Sequence, residues 1–273
     1  MARLINFHVL KVALFAGVFL ASCKTVPLTG RKQLSLVSES EVMTMSLSQY
    51  DQFIKSNKIS PNKAETDRVR RVGNKIAIAV EQYFKEKNLS SYLDGYKWEF
   101  NLIEDKTVNA WCMPGGKVVV YTGILPLIKN DAQLATVMSH EIAHAVARHG
   151  GERMSEQLVA QGAGIALSVA LAQKPKETQQ LAMAAFGVGS QVGILLPFSR
   201  THEYEADEMG LYFMAMAGYN PGESIDFWKS MAANSQSKTP EFLSTHPLDE
   251  NRIARINAKL PEAMKYYHPQ VKK

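Results

Sequence analysis

His140-Glu141-Ile142-Ala143-His144 sets two imidazoles four residues apart. On a helix that spacing puts His140 and His144 on one face, so both rings can reach one Zn²⁺ at about 2.0–2.1 Å. Glu141 is offset by one residue, and its carboxylate can reach a water activated at the metal without ligating it, as a general base requires. Catalytic zinc needs a third protein ligand and an open position. The metzincin pattern would place a Gly at position 147 and a His at position 150, but Ala147 and Gly150 stand there and His149 is out of register. Ser199-Arg200-Thr201-His202-Glu203-Tyr204-Glu205-Ala206-Asp207 offers a helical pair instead. Glu203 and Asp207 are four apart, so one can ligate zinc while the other accepts the free N–H of a ligand histidine. Glu205 and Glu208 fall on other faces and are expected in solvent.

The elements that must position these groups follow from periodicity. Asn130 with Gln133 is a capping-box pattern, opening a helix that carries the histidines to a stop at Gly150-Gly151. The carboxylates ride on a helix from about residue 202 to 217, ended by Gly218-Tyr219-Asn220-Pro221. Upstream, Ser38 with Glu41 opens a helix through about Lys55, and Val69, Val72, Ile76, Val80 and Tyr83 recur at helical spacing. Trp98, Phe100 and Leu102 alternate as in a strand, and the β-prone runs 108–113 and 118–122 are joined as a hairpin by Pro114-Gly115-Gly116. The order predicts an α+β fold, mainly helical, with a small antiparallel sheet. Two uncharged stretches, 157–173 and 178–199, are split by Lys174-Pro175-Lys176-Glu177. Their Gly, Ser and Gln content favours a helical hairpin at 157–199, covering a cleft or leaning on a membrane, over two membrane spans. After Pro221, two short helices flank the loop 235–240.

The chain has 273 residues, 46% of them apolar, and 31 Lys plus Arg against 26 Asp plus Glu. The dispersed excess of +5 contains no basic tract, so no nucleic-acid partner is expected. Two cysteines exclude a disulfide framework and a four-cysteine zinc site. Residues 1–22 read as an export signal: Arg3 and Lys11 precede or flank an apolar run at 12–20, too short to span a bilayer. The run ends in Leu20-Ala21-Ser22-Cys23, which resembles the lipobox cut by bacterial lipoprotein signal peptidase. Cys23 then becomes an acylated first residue, each buried CH₂ holding it to the membrane by about 0.8 kcal/mol. Lys24 after it favours, by resemblance to bacterial sorting rules, the outer membrane facing the periplasm. Residues 23–37 read as a lipidated tether, and Cys112 remains as a lone thiol expected to be buried and inert.

HExxH followed by Glu203 and Asp207 in ExxxD spacing resembles the HtpX and CAAX-prenyl-protease type zinc metalloendopeptidases. Asn109-Ala110-Trp111-Cys112-Met113-Pro114-Gly115-Gly116, Ser199-Arg200, and Thr245-His246-Pro247 with Arg252 extend the likeness over roughly residues 60–260. With the lipobox, the chain looks like the bacterial outer-membrane lipoprotein branch. The resemblance implies a single zincin-type domain at 38–273 with one Zn²⁺ per chain, His140, His144 and Glu203 as ligands, and Asp207 behind a ligand histidine. Glu141 is then the general base of peptide hydrolysis. His246, preceding Pro in a loop, is the candidate oxyanion donor or a resting-state zinc ligand, with Arg200 and Tyr204 as secondary oxyanion candidates. The strand residues Val118, Val119, Val120 and Tyr121 are expected to offer an edge to an extended peptide. Substrate choice by backbone pairing suits unfolded or misassembled envelope proteins, and location suggests outer-membrane assembly machinery as a partner. The competing expectation is a non-catalytic periplasmic chaperone or assembly factor with structural zinc.

Overall fold

A computed structural model describes residues 23–191, 195–234, 240–248 and 250–268, so the export signal expected at 1–22 lies outside the described residues. The described residues fall into two compact units, one within 40–150 and 196–268, the other within 23–39 and 151–195. In the smaller unit, the stretch expected as a tether is folded. Strand β1 (Cys23–Thr25) pairs antiparallel with β2 (Lys32–Leu34). Gly30 makes the turn at φ +73°, which a side chain would strain, and Val26 is fully buried. Arg31 grips Glu152 with two nitrogens, at 2.8 and 2.6 Å, and the Leu36 N–H donates to Ser155 Oγ.

The larger unit begins with α1 (Glu39–Ser56) and α2 (Lys63–Glu86), the latter capped by Asn62, whose side chain accepts the Glu65 N–H. Val69, Val72, Ile76, Val80 and Phe84 form the buried face of α2. Strands β3 (Glu99–Ile103), β4 (Ala110–Met113) and β5 (Lys117–Tyr121) make one sheet in the order β3-β5-β4. The expected hairpin is β4-β5, turned by Gly115 and Gly116 at positive φ. The sheet is mixed, because the chain reverses once into β4 and again into β5, leaving β5 parallel to β3. Phe53 of α1 packs edge-on against Trp111, covering one sheet face with Tyr50 and Val119. Phe100, Val118 and Cys112 share a row on the opposite face.

Helix α3 (Asp131–Val146) carries the histidine motif. Asn130 Oδ1 accepts the Gln133 N–H, while Gln133 Oε1 reaches back to the Lys129 N–H. Every residue from Gln133 to Val146 is buried, as for a helix surrounded by protein on all sides. α3 ends before the expected glycine stop: Arg148 takes the left-handed step at φ +61°, and Gly150 and Gly151 fall inside α4 (His149–Ala170). α4 and α5 (Lys176–Ser190) are two helices with the break at residues 171–175, so Lys176 and Glu177 of the expected link open α5. Among the described residues, no helix is long and apolar enough to cross a membrane.

The carboxylate helix α6 (Leu196–Met216) starts before the expected residue 202 and is followed by Gly218 at φ +82°. It packs along α3, with Gly210 set against the His140 backbone. Beyond it, among the described residues, come α7 (Glu223–Asn234), α8 (Glu241–Thr245) and α9 (Glu250–Ala263), where two helices were expected; residues 235–239 of the expected loop lie outside the described residues. The extra one is a single turn, too short for periodicity to reveal.

Candidate metal centre

α3 and α6 bring His140, His144 and Glu203 together with their side chains buried. The two Nε2 atoms stand 3.1 Å apart, and each lies 3.3 Å from a different oxygen of Glu203. His246, capping α8, joins them: its Nδ1 is 3.1 Å from both Glu203 oxygens and 3.3 Å from His140 Nε2. One donor atom from each of these four residues lies within 4.8 Å of every other. Two imidazoles and a carboxylate in a buried cluster match the N and O donor set of catalytic zinc.

The far side of the His140 ring is also held. His140 Nδ1 donates to Asp207 Oδ1 at 3.0 Å, which turns the lone pair of Nε2 toward Glu203. Arg252, fully buried, binds Asp207 through Nε at 2.6 Å and Nη2 at 3.0 Å, and reaches Glu203 Oε2 at 3.2 Å through Nη1. Its guanidinium lies 3.9 Å over the Trp228 ring. Burial alone would raise the pKa of Asp207, but Arg252 outweighs it and keeps the carboxylate ionised. Burial likewise opposes ionisation of Glu203, yet His144, His140 and His246 hold its pKa well below the usual carboxylate range. Burial pushes the His144 pKa well down, whereas at His140 burial is outweighed by hydrogen bonds to Asp207 and Glu203, which raise it.

Several expected placements change. Glu141 is buried beside the cluster, with Oε1 3.4 Å from His246 Nε2. His246 is therefore enclosed among the ligand atoms, where a free loop ring was expected. Arg200 is exposed, and Tyr204 lies under Arg255 at 4.1 Å; the cation at the cluster is Arg252. Val118, Val119, Val120 and Tyr121 offer no edge, because β5 is paired on one side with β3 and on the other with β4. Cys112 faces the site from β4, and burial, with the Glu141 charge adding, pushes its thiol pKa well up. Glu205, expected in solvent, is buried and bonded to His149. Helical periodicity reveals neither residue, because their contact forms only where the chain leaves α3 at Arg148.

A buried pair of helical histidines, a carboxylate from a later helix and an adjacent glutamate define a zincin-type metallopeptidase. The sequence profile of peptidase family M48 matches residues 63–260, and the chain belongs to that family. It is 33% identical over 263 residues to the mitochondrial metalloendopeptidase OMA1 of Schizosaccharomyces pombe, covering 92% of this chain and 71% of that one. OMA1 of Saccharomyces cerevisiae is 36% identical over 197 residues, 69% of this chain and 54% of its own length. The β-barrel assembly-enhancing protease of Yersinia pestis is 30% identical over 162 residues, 58% and 33% respectively. These relatives carry names other than HtpX or CAAX protease, so the expected resemblance holds at the level of M48. By family and donor set the chain is a zinc metalloendopeptidase.

Proposed function

We propose that this enzyme hydrolyses unfolded or misassembled proteins of the bacterial cell envelope, from the periplasmic face of the outer membrane. The observation that carries the hydrolytic reading is the convergence of His140, His144 and Glu203 next to Glu141. In this reading the first three hold the zinc and Asp207 orients His140. Bound there, zinc polarises the scissile carbonyl and lowers the pKa of water toward about 7. Glu141 takes the proton of the attacking water and delivers it to the leaving amine nitrogen. His246 rests with Nδ1 toward the ligand atoms, on the side a substrate carbonyl must enter, and holds the enzyme in a low-activity state. The alternative role for the same ring is that of oxyanion donor to the substrate.

With β5 enclosed, the outer edge of β4 is where an extended peptide can add; among the described residues no strand pairs with it. Backbone pairing along β4 selects for unfolded chain more than for sequence. The location rests on the lipobox and on Cys23, which is exposed at the start of β1 and accessible to acylation. The likeness to a protein named for β-barrel assembly supports an envelope substrate and contact with assembly machinery. Glu141→Gln decides between a protease and a zinc-stabilised chaperone. Full zinc content with cleavage of an unfolded protein reduced by about 10²-fold or more is expected of the protease; undiminished cleavage would sink that reading.

A further inference from the structure

Two imidazoles five residues apart meet nitrogen to nitrogen beside the metal centre. His149 Nδ1 lies 2.8 Å from His144 Nδ1, and His149 Nε2 lies 2.9 Å from Glu205 Oε2. His149 has no exposure and Glu205 has 5%. On an unbroken helix, residues five apart point about 140° away from each other, so the contact needs the break in the chain. Arg148 supplies it. Its left-handed backbone costs a non-glycine residue about 1 kcal/mol. The cost is offset by its side chain, which donates from Nη2 to the Tyr92 carbonyl at 3.1 Å and stacks 3.8 Å over the Tyr92 ring.

The proton inventory follows from the distances. A 2.8 Å contact between two ring nitrogens holds one proton, because two N–H groups would collide and two lone pairs would repel. A His144 that presents the Nε2 lone pair to a metal must carry its proton on Nδ1. His149 Nδ1 then accepts, leaving the proton of His149 on Nε2, where the Glu205 carboxylate takes the hydrogen bond. We propose that His149 and Glu205 are positioning residues for His144, a relay that fixes the metal-binding tautomer of that ring. This rests on the reading of His144 as a zinc ligand. The two ligand histidines are thereby supported differently: His140 meets its carboxylate, Asp207, directly, while His144 meets Glu205 through a second imidazole.

The competing explanation is packing, since His149 also stacks on His202 at 4.3 Å. Zinc titration of the full chain against a chelator separates the two. His149→Leu and Glu205→Leu should weaken zinc binding about 10–100-fold. His149→Asn, smaller but keeping an acceptor near the position of Nδ1, should stay within about threefold of the parent. In the zinc-loaded protein, imidazole ¹⁵N spectra should show His144 protonated at Nδ1 and His149 at Nε2. Leu variants that bind zinc as tightly as the parent, or a His149 protonated at Nδ1, would overturn the relay. His144→Ala tests the ligand assignment separately: if tight zinc binding survives it, that assignment fails, while the tautomer of His149 still judges the relay.

Discussion

Arg252 holds Asp207 with two nitrogens, at 2.6 and 3.0 Å, and Asp207 in turn holds His140 Nδ1 at 3.0 Å. A fully buried guanidinium thus fixes the carboxylate bonded to the His140 ring, and a fork of donors does so where a point charge cannot. Arg252→Met should cost about 3–5 kcal/mol in urea unfolding, because it leaves buried carboxylates uncompensated. The double variant Arg252→Met with Asp207→Leu should recover most of that stability, an apolar pair of similar volume replacing a buried ion pair. Zinc affinity should remain about 10–100-fold down in the double variant, since His140 has lost its acceptor. Recovery of both properties together would show that Asp207 does not orient the ligand.

His246 divides two roles that its position allows. Its Nδ1 stands at hydrogen-bond distance from Glu203 and His140, and its Nε2 faces Glu141, so the ring fills the space in front of the ligand atoms. His246→Ala should raise basal cleavage of an unfolded substrate several-fold with zinc content unchanged. A fall of about 10²-fold would assign the ring to the oxyanion instead. An unchanged rate would remove both roles.

The clustering of His140, His144 and Glu203 was legible because i, i+4 spacing is a local property of helices, and α3 announces itself by its capping box and α6 by the glycine that follows it. Asp207 came with it for the same reason, four residues after Glu203. What periodicity could not carry was any contact made by leaving the helix. Arg148 takes a left-handed conformation that sequence assigns to glycine, and Gly150-Gly151 two residues on drew the expected stop away from it. His149 and Glu205 were lost with that error. The edge assignment failed differently: hairpin logic found β4 and β5 but not that β3 would occupy the other side of β5. Burial of all of Val118, Val119 and Val120, without alternation, is the pattern of a central strand, and their uninterrupted β-branched run was its signal.

Gly210 sets the separation of the two helices that build the site. A Cβ there would lie 3.2 Å from the His140 backbone nitrogen and 3.3 Å from its Cα, close enough that backbone, rather than a pliable side chain, must move. In a helix interior Gly→Ala ordinarily gains about 1 kcal/mol. Overpacking a rigid contact costs about 1–3 kcal/mol, so at this position the loss should win. Gly210→Ala should lower the urea midpoint slightly and, by moving α6 away from α3, weaken zinc binding more than it weakens the fold. Gly162→Ala is the control: a Cβ there meets nothing within 4 Å, and the helix should gain close to the full propensity term. Zinc affinity unchanged in Gly210→Ala would mean that the spacing of α3 and α6 tolerates the shift and that the ligands do not depend on it.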